Sequence, residues 1–299
     1  MIKASRILMS LVLAFAVSFT AWADDSPKKK ELKLITAKQL SGKLGKRFDL
    51  SGLAMYKGAL VAVADKDDNR FVYRLIDEGE TFQVHPWIAL KYKGRLDLEG
   101  IETSGSHIYL INEKTSEVLR ASVDGDVKKV AVNYPSADID VSSWGNAGLE
   151  GLAVSPDGKT LYLAKERQPR YILKVVAGTG KIVGKFNMGK GHDFTGLTMD
   201  NSGRYLYALV RSGWRVIKYD LEQRKIVDEY SFEKSAVTDR RKMYEPYEYG
   251  MAEALVVTDD RILIGFDNNG TKVSKQAKKR YGFRGNAPSV LVFERPEGF

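Results

Sequence analysis

Gly148-Leu149-Glu150-Gly151-Leu152 is one of five occurrences of a short phrase in this chain. The others are Asp49-Leu50-Ser51-Gly52-Leu53, Asp97-Leu98-Glu99-Gly100-Ile101, Asp193-Phe194-Thr195-Gly196-Leu197 and Met251-Ala252-Glu253-Ala254-Leu255. Steps of roughly 40 to 50 residues, with slack for loops, are the period of β-propeller blades. After each phrase come further β-like runs divided by tight turns. In the first repeat they are Ala59 to Ala64, Phe71 to Ile76 and Thr81 to Ala89; in the third, Thr160 to Ala164, Tyr171 to Val176 and Lys181 to Met188. Four antiparallel strands per repeat make a propeller blade.

The fifth repeat is one strand short: it offers Ala254 to Val257, Arg261 to Phe266 and Ser289 to Glu294. The alternating run Glu31 to Thr36, ahead of the first phrase, can supply the missing strand and leave no open edge. The expectation is an all-β, five-bladed β-propeller closed by its N-terminal strand, in a single domain over residues 24–299. Six blades are the alternative, if a long loop hides a degenerate one.

The chain opens with a different grammar. Lys3 and Arg6 precede an apolar run from Ile7 to Thr20, and Ala21-Trp22-Ala23 is a small-x-small cleavage pattern. The run is shorter than the ~20 residues of a membrane span and carries Ser10 and Ser18. Residues 1–23 are therefore read as a signal peptide, and the mature protein as periplasmic or secreted, without a transmembrane anchor. Cysteine is absent, so packing replaces disulfides. The formal net charge of +9 is densest at Lys28-Lys29-Lys30, Arg240-Arg241-Lys242 and Lys278-Lys279-Arg280. Such runs fit solubility or an anionic ligand: phosphate, anionic lipid or cell-wall polymer. An exported chain with no basic helix interleaved with aromatics is not expected to bind nucleic acid, and a monomer is expected.

The long connections, Asn133 to Gly148, Glu233 to Gly250 and Asn268 to Pro288, all fall on one face of the expected ring, where loops on a rigid scaffold carry function. The third position of the phrase, at the start of each innermost strand, faces the same way. It holds Glu99, Glu150 and Glu253, with Ser51 and Thr195 in the remaining repeats. Aligning the second strands gives another ring of Asp65, Glu113, Glu166, Arg211 and Asp267. Crowded carboxylates need a cation, a proton or paired bases. Oxygen donors favour a hard ion, so calcium is the first candidate and magnesium the second. The competing reading has Glu99, Glu150 and Glu253 only capping neighbouring backbone amides.

Other motifs carry less. Gly178-Thr179-Gly180-Lys181 lacks the Walker spacing and reads as a hairpin turn. Asp65-Lys66-Asp67-Asp68-Asn69 starts like a calcium loop, but Arg70 stands where the turn glycine belongs. Of the histidines, only His192, beside Asp193, reaches the long-loop face as a candidate general base; His85 and His107 read as structural. Trp144, Tyr244, Tyr247, Tyr249 and Tyr281 either line a ligand cleft or pack the loops onto the ring.

The run Gly148-Leu149-Glu150-Gly151-Leu152-Ala153-Val154-Ser155-Pro156-Asp157-Gly158, followed by Leu161-Tyr162-Leu163-Ala164-Lys165-Glu166, resembles the signature of bacterial esterase-like phytase domains. Ser51-Gly52-Leu53-Ala54 with Ala64-Asp65, and Glu253-Ala254-Leu255 with Phe266-Asp267-Asn268-Asn269, are similar to that family's other repeats. The phrases also resemble the SdiA-regulated, YjiK-type exported propellers. The resemblance implies a secreted propeller with an acidic, calcium-binding mouth and a phosphoester or ester hydrolase activity. It carries over to Glu99, Glu150, Glu253, Asp65, Glu113, Glu166 and Asp267 as metal ligands. Ser51, Thr195 and Arg211 depart from an all-acidic pattern, and Arg211 with Lys165 can instead hold an anion. One hypothesis is a calcium-dependent phosphoesterase in which Arg211, Lys114 and Arg167 stabilise developing charge on a small phosphorylated or anionic ligand. The other is a non-catalytic envelope propeller that binds a ligand or partner around a structural ion.

Overall fold

A strand buried on both faces is apolar throughout, and one at a wetted edge alternates. Both grammars occur within each repeat. In the third, the innermost strand β10 (Leu149–Val154) is buried at every residue, whereas the outermost, β13 (Ile182–Asn187), alternates half-buried and exposed positions. Burial thus falls from the axis outward, as it does when sheets are stacked around a centre. The computed structural model describes residues 30–42, 44, 47–66, 68–145, 147–191, 193–238, 241–245 and 251–299. The expected signal segment Met1 to Ala23, Lys28, Lys29, Asp67, His192, Arg240, Tyr247 and Tyr249 lie outside these residues.

The fold is all-β and propeller-like. After β1 (Leu34–Gly42), a first sheet is built from β2 (Asp49–Tyr56), β3 (Ala59–Asp65), β4 (Phe71–Asp77) and β5 (Thr81–Ala89). The second comprises β6 (Leu98–Ser104), β7 (His107–Asn112), β8 (Glu117–Ala121) and β9 (Val127–Val130). The third adds β11 (Thr160–Lys165) and β12 (Tyr171–Val176) between β10 and β13, and the fourth is β14 (Phe194–Met199), β15 (Tyr205–Val210), β16 (Arg215–Asp220) and β17 (Lys225–Ser231). A long connection follows, with α1 (Glu233–Ala236), β18 (Val237–Thr238), β19 (Arg241–Lys242) and β20 (Tyr244–Glu245). The last sheet has β21 (Ala252–Val257) and β22 (Arg261–Phe266), then an insertion with β23 (Lys272–Val273) and α2 (Lys275–Tyr281), and finally β24 (Ser289–Glu294).

Among the described residues the inner strands β2, β6, β10, β14 and β21 contact one another in succession, and β21 meets β2 to complete a ring. An apolar core lies between each adjacent pair of sheets. Val61 packs with Ile101, Ile111 with Leu152, Ala164 with Leu197, Leu209 with Ile264, and Leu53 with Ala254.

The glycine at the fourth position of the phrase explains how closely these strands approach. A Cβ on Gly100 would lie 2.7 Å from the carbonyl oxygen of Glu150, and one on Gly151 would lie 2.8 Å from Leu197 Cβ. The fifth phrase has Ala254 there, and the space comes instead from Gly265 on the partner strand, where a Cβ would lie 2.9 Å from Ala254 Cβ.

Strand β1 closes the circle. It runs antiparallel to β24, with Ala37 opposite Leu291, and parallel to β5, with Gln39 opposite Thr81. The expected closing strand, Glu31 to Thr36, is displaced toward the C-terminus. Leu32 instead lies along β17, its N–H donating to the Ser231 carbonyl at 2.7 Å. The polar residues of β1 hide it in the sequence. Lys38 belongs to the strand because its stem covers Phe82, with the ammonium 5.2 Å from the ring centroid, while that ammonium pairs with Asp77.

The loop aromatics pack onto the ring. Trp144 is buried edge-on against Tyr134, with ring centroids 5.6 Å apart. The Tyr244 hydroxyl donates to the Ala287 carbonyl at 2.9 Å, and the Tyr281 hydroxyl to the Ser235 carbonyl at 2.5 Å.

Candidate functional site

Every inner strand carries a register irregularity at the same place, between Leu50 and Gly52, Leu98 and Gly100, Leu149 and Gly151, Phe194 and Gly196, and Ala252 and Ala254. The extra residue is the third of the phrase in each case: Ser51, Glu99, Glu150, Thr195 and Glu253. A β-bulge turns a side chain away from the direction the pleat would give it. The second ring is held beside the first by a repeated backbone bond. The N–H groups of Glu113, Glu166, Arg211 and Asp267 donate to the carbonyls of Asp97, Gly148, Asp193 and Met251, the first residues of their phrases, at 2.8 to 3.0 Å. Asp65 is paired with Asp49 in the β2–β3 ladder.

These side chains meet at one mouth of the ring. A cavity of about 160 Å³ there is lined by Asp49, Ser51, Asp65, Lys66, Glu99, Glu150, Arg211, Glu253, Asp267 and Asn269. Arg211 is the hub on one side. It donates to Glu166 at 2.6 Å, Glu253 at 2.7 Å and Asp193 at 3.0 Å, with its own side chain 14% exposed. Arg167 also reaches Glu166, at 2.9 Å, but is 51% exposed at the rim. Lys114 is exposed in the 3₁₀ turn Glu113–Thr115 and does not line the cavity. The Lys165 ammonium turns aside to the Arg167 carbonyl at 2.9 Å and lies over Trp144. His192 lies outside the described residues.

The hydroxyl positions behave differently from the carboxylates. Ser51 donates to the Leu98 carbonyl, and Thr195 to the Ala252 carbonyl at 2.7 Å. Each therefore ties its inner strand to the next. Among the third-position glutamates, Glu253 is committed to Arg211, while Glu99 and Glu150 take part in two groups of carboxylates. Asp65, Asp97 and Glu99 bring one oxygen each within 4.8 Å of one another, as do Glu113, Glu150 and Glu166.

Electrostatics follows from this crowding. Burial pushes Glu99 and Glu150 well above the usual carboxylate range; Glu150 and Glu113 add to the shift of Glu99, and Glu166 and Glu253 to that of Glu150. Burial also raises Glu166 and Glu253, although Arg211 opposes both shifts. Glu113 is raised by burial and partly relieved by the Gly148 N–H, which donates to it at 3.1 Å. Asp267 is pushed up to about 8, by burial first and by Asp49 next. Burial pulls Arg211 down, but Glu253, Glu150 and Glu166 outweigh it and hold the guanidinium charged.

One oxygen in each half of the mouth is stranded. Glu166 Oε2 and Asp49 Oδ1 are buried with no hydrogen-bond partner among the described residues. A stranded carboxylate oxygen in a set of converging carboxylates is what a hard cation satisfies, so the residues present fit such an ion.

Asp49, Asp97 and Asp193 were not among the sequence candidates for ligands. Their signal lay in the phrase itself, whose first position is aspartate in three of the five copies. The ring has a second opening at its other end, a cavity of about 300 Å³. Glu102 stands in it, raised by burial to about 7, and accepts from Thr198 on the far side of the ring at 2.9 Å. Between the two mouths the channel narrows to a void of about 10 Å³.

The family model described as SdiA-regulated matches residues 33–234 of this chain. Among solved structures, a glutaminyl cyclase from Myxococcus xanthus is similar at a TM-score of 0.55 and 11% identity, covering 89% of this chain and 100% of that one. A gluconolactonase from Xanthomonas campestris is similar at a TM-score of 0.47 and 15% identity, covering 82% of this chain and 72% of that one. Hydrazine synthase from Kuenenia stuttgartiensis gives a TM-score of 0.44 at 15% identity, and this chain spans 79% of its own length and 59% of that chain in the match. At 11% identity the likeness to the glutaminyl cyclase is one of fold. No helix among the described residues is long and apolar enough to cross a membrane.

Proposed function

Because this chain belongs to the SdiA-regulated family, we propose that it is an exported, monomeric, five-bladed propeller that holds a divalent cation, calcium in the first instance, at its acidic mouth and hydrolyses a phosphoric or carboxylic ester there. The observation that carries the reading is Glu166 Oε2, buried without a partner among the described residues and set in a group of three carboxylates. Glu113, Glu150 and Glu166 would hold the ion, with Asp65, Asp97 and Glu99 as the second donor set. A bound hard ion supplies charge neutralisation and Lewis acidity toward an anionic substrate. Arg211 is saturated by three carboxylates, so its part is to keep Glu166 and Glu253 ionised and oriented. Arg167 at the rim and Lys66, whose ammonium pairs with Asp65 in the cavity wall, would meet the anionic end of a ligand. Asp267, raised by burial to about 8, is suited to hold a proton near neutral pH.

The test is calcium titration by calorimetry on the mature protein, followed by assay of a generic phosphomonoester and a carboxylic ester with calcium present. The proposal expects binding, and turnover that a Glu150→Ala, Glu253→Ala double variant loses; absence of calcium binding defeats it. A second reading, a non-catalytic ligand-binding propeller with a structural ion, has its own support. Ser51 and Thr195, the hydroxyls at the mouth's third positions, both donate to backbone carbonyls, which leaves neither poised as a nucleophile. Calcium binding without turnover of either ester class selects this reading.

A further inference from the structure

The insertion between β22 and β24 carries a charge distribution that the mouth chemistry does not use. Between Asn268 and Phe293 there is no acidic residue, while Lys272, Lys275, Lys278, Lys279, Arg280 and Arg284 fall within thirteen positions. All six are exposed. Attraction to the helix dipole accounts for basic residues in the last turn of α2, namely Lys278, Lys279 and Arg280, but not for Lys272, Lys275 or Arg284.

The insertion is tied to the ring at several points. Ser274 caps the helix by accepting from the Ala277 N–H at 3.0 Å, and Gly282 ends it at φ 71°. Ala277 and Tyr281, one turn apart, face the core with Phe283, and the Tyr281 hydroxyl and Arg280 both donate to backbone carbonyls of α1 and its neighbourhood, at Ser235 and Lys234. Positions 275, 278 and 279 have the spacing that shares one helix face, opposite the buried stripe. The apolar face is thus used inside the protein, and the cations are left exposed on the outer face.

The spread of the charges decides the ligand. A discrete phosphate is held by donors converging on a point, whereas Lys275, Lys278 and Lys279 fan out from one exposed helix face and present their charges across an area. The insertion also leaves β22 from the end where Asp267 lines the acidic cavity, so the cations stand on the same side of the ring as the mouth. We infer that α2 and its flanks dock this propeller peripherally on an anionic phospholipid surface, by charge alone and without insertion, with the mouth directed toward that surface.

Co-sedimentation with vesicles tests this with the mature protein. Vesicles of phosphatidylglycerol mixed with phosphatidylcholine should retain the protein at low salt, vesicles of phosphatidylcholine alone should not, and high salt should release it. A Lys275→Glu, Lys278→Glu, Lys279→Glu variant should lose roughly 100-fold in vesicle affinity or more, because each cation near such a surface contributes independently. The variant's melting temperature should fall by only a few degrees, since the three side chains are exposed and the reversal at Lys278 and Lys279 opposes the helix dipole, and the corresponding triple glutamine variant should bind with intermediate strength. Failure of the wild-type protein to bind phosphatidylglycerol vesicles at low salt overturns the inference. Equal binding by the charge-reversed variant overturns it too, as does retention by a soluble anionic polysaccharide together with indifference to the vesicles.

Discussion

Replacing Arg211 with methionine removes the charge on which one side of the mouth depends while keeping much of the side-chain volume. The guanidinium is 14% exposed and contacts Glu166, Glu253 and Asp193 at 2.6 to 3.0 Å, and Glu166 is fully buried. Breaking a buried ion pair by deleting one partner costs about 3 to 5 kcal/mol, because the remaining charge is left uncompensated. Arg167 still reaches Glu166, but half-exposed and screened, so it compensates little. At roughly 2 to 4 °C per kcal/mol for a chain of this size, the variant should melt about 10 °C lower at neutral pH. The deficit has a sign in pH. Burial already raises Glu150, Glu166 and Glu253, so the folded protein holds protons there to higher pH than the unfolded chain does. Stability tied to that protonation is present at acid pH and lost as pH rises through the folded-state values. Arg211 opposes the loss, and without it the loss deepens. Denaturant melts of both proteins at mildly acidic and mildly alkaline pH, with chelator present, should show the difference widening as pH rises. A cost below about 1 kcal/mol that does not change with pH would refute this account of the mouth.

Three further outcomes follow from particular contacts. Gly100→Ala places a Cβ 2.7 Å from the Glu150 carbonyl oxygen and should cost about 1 to 3 kcal/mol in denaturant melts, since neither inner strand can retreat. Phe299→Ala empties a site where the ring is 1% exposed and packs against Tyr207 and Tyr230, so a loss of about 3 to 5 kcal/mol is expected; near-neutrality would show that this residue does not anchor the last two sheets. Asp267→Asn removes a carboxyl raised from 3.8 to about 8, whose protonation supports the fold below pH 4 and is lost progressively up to about pH 8. In chelator the variant should therefore gain on the wild type as pH rises across that window, by about 1 to 3 kcal/mol after allowing for solvent screening, and a flat difference would contradict the raised value.

The fold was legible because the inner strand of each repeat performs one task in one environment. Buried on both faces, it tolerates few residue types, so the phrase survives in recognisable form, and β11, β12, β22 and β24 begin or end where their apolar runs do. The closing strand was harder to read. Strand β1 carries Lys38, which Phe82 and Asp77 accommodate, and the half-buried Gln39, and its place is fixed by β24 and β5, far away in sequence. At the mouth, a shared position in the phrase was enough to bring Glu99, Glu150 and Glu253 together, and the strand alignment did the same for Asp65, Arg211 and Asp267. The bulge that aims the first set, and the commitment of Arg211 to three carboxylates, depend on backbone register and on neighbouring sheets. No local pattern records those. Trp144, Tyr244 and Tyr281 show the same limit, because lining a cleft and packing a loop call for the same residue types.

The pairing of Ala37 with Leu291 sets an order on folding. Strand β1 can take its four parallel partners on β5 as soon as the first sheet exists, but its other edge waits for β24, almost the whole chain later. Contacts of such separation form slowly, and until they do the first and last sheets each present an unpaired edge. An intermediate lacking only β24 has most of its hydrogen bonds and most of its core, yet offers a ready template to the β24 of another molecule. Exchange of that strand between two chains, and aggregation seeded there, are the failure modes that a ring fastened in this way has to outrun.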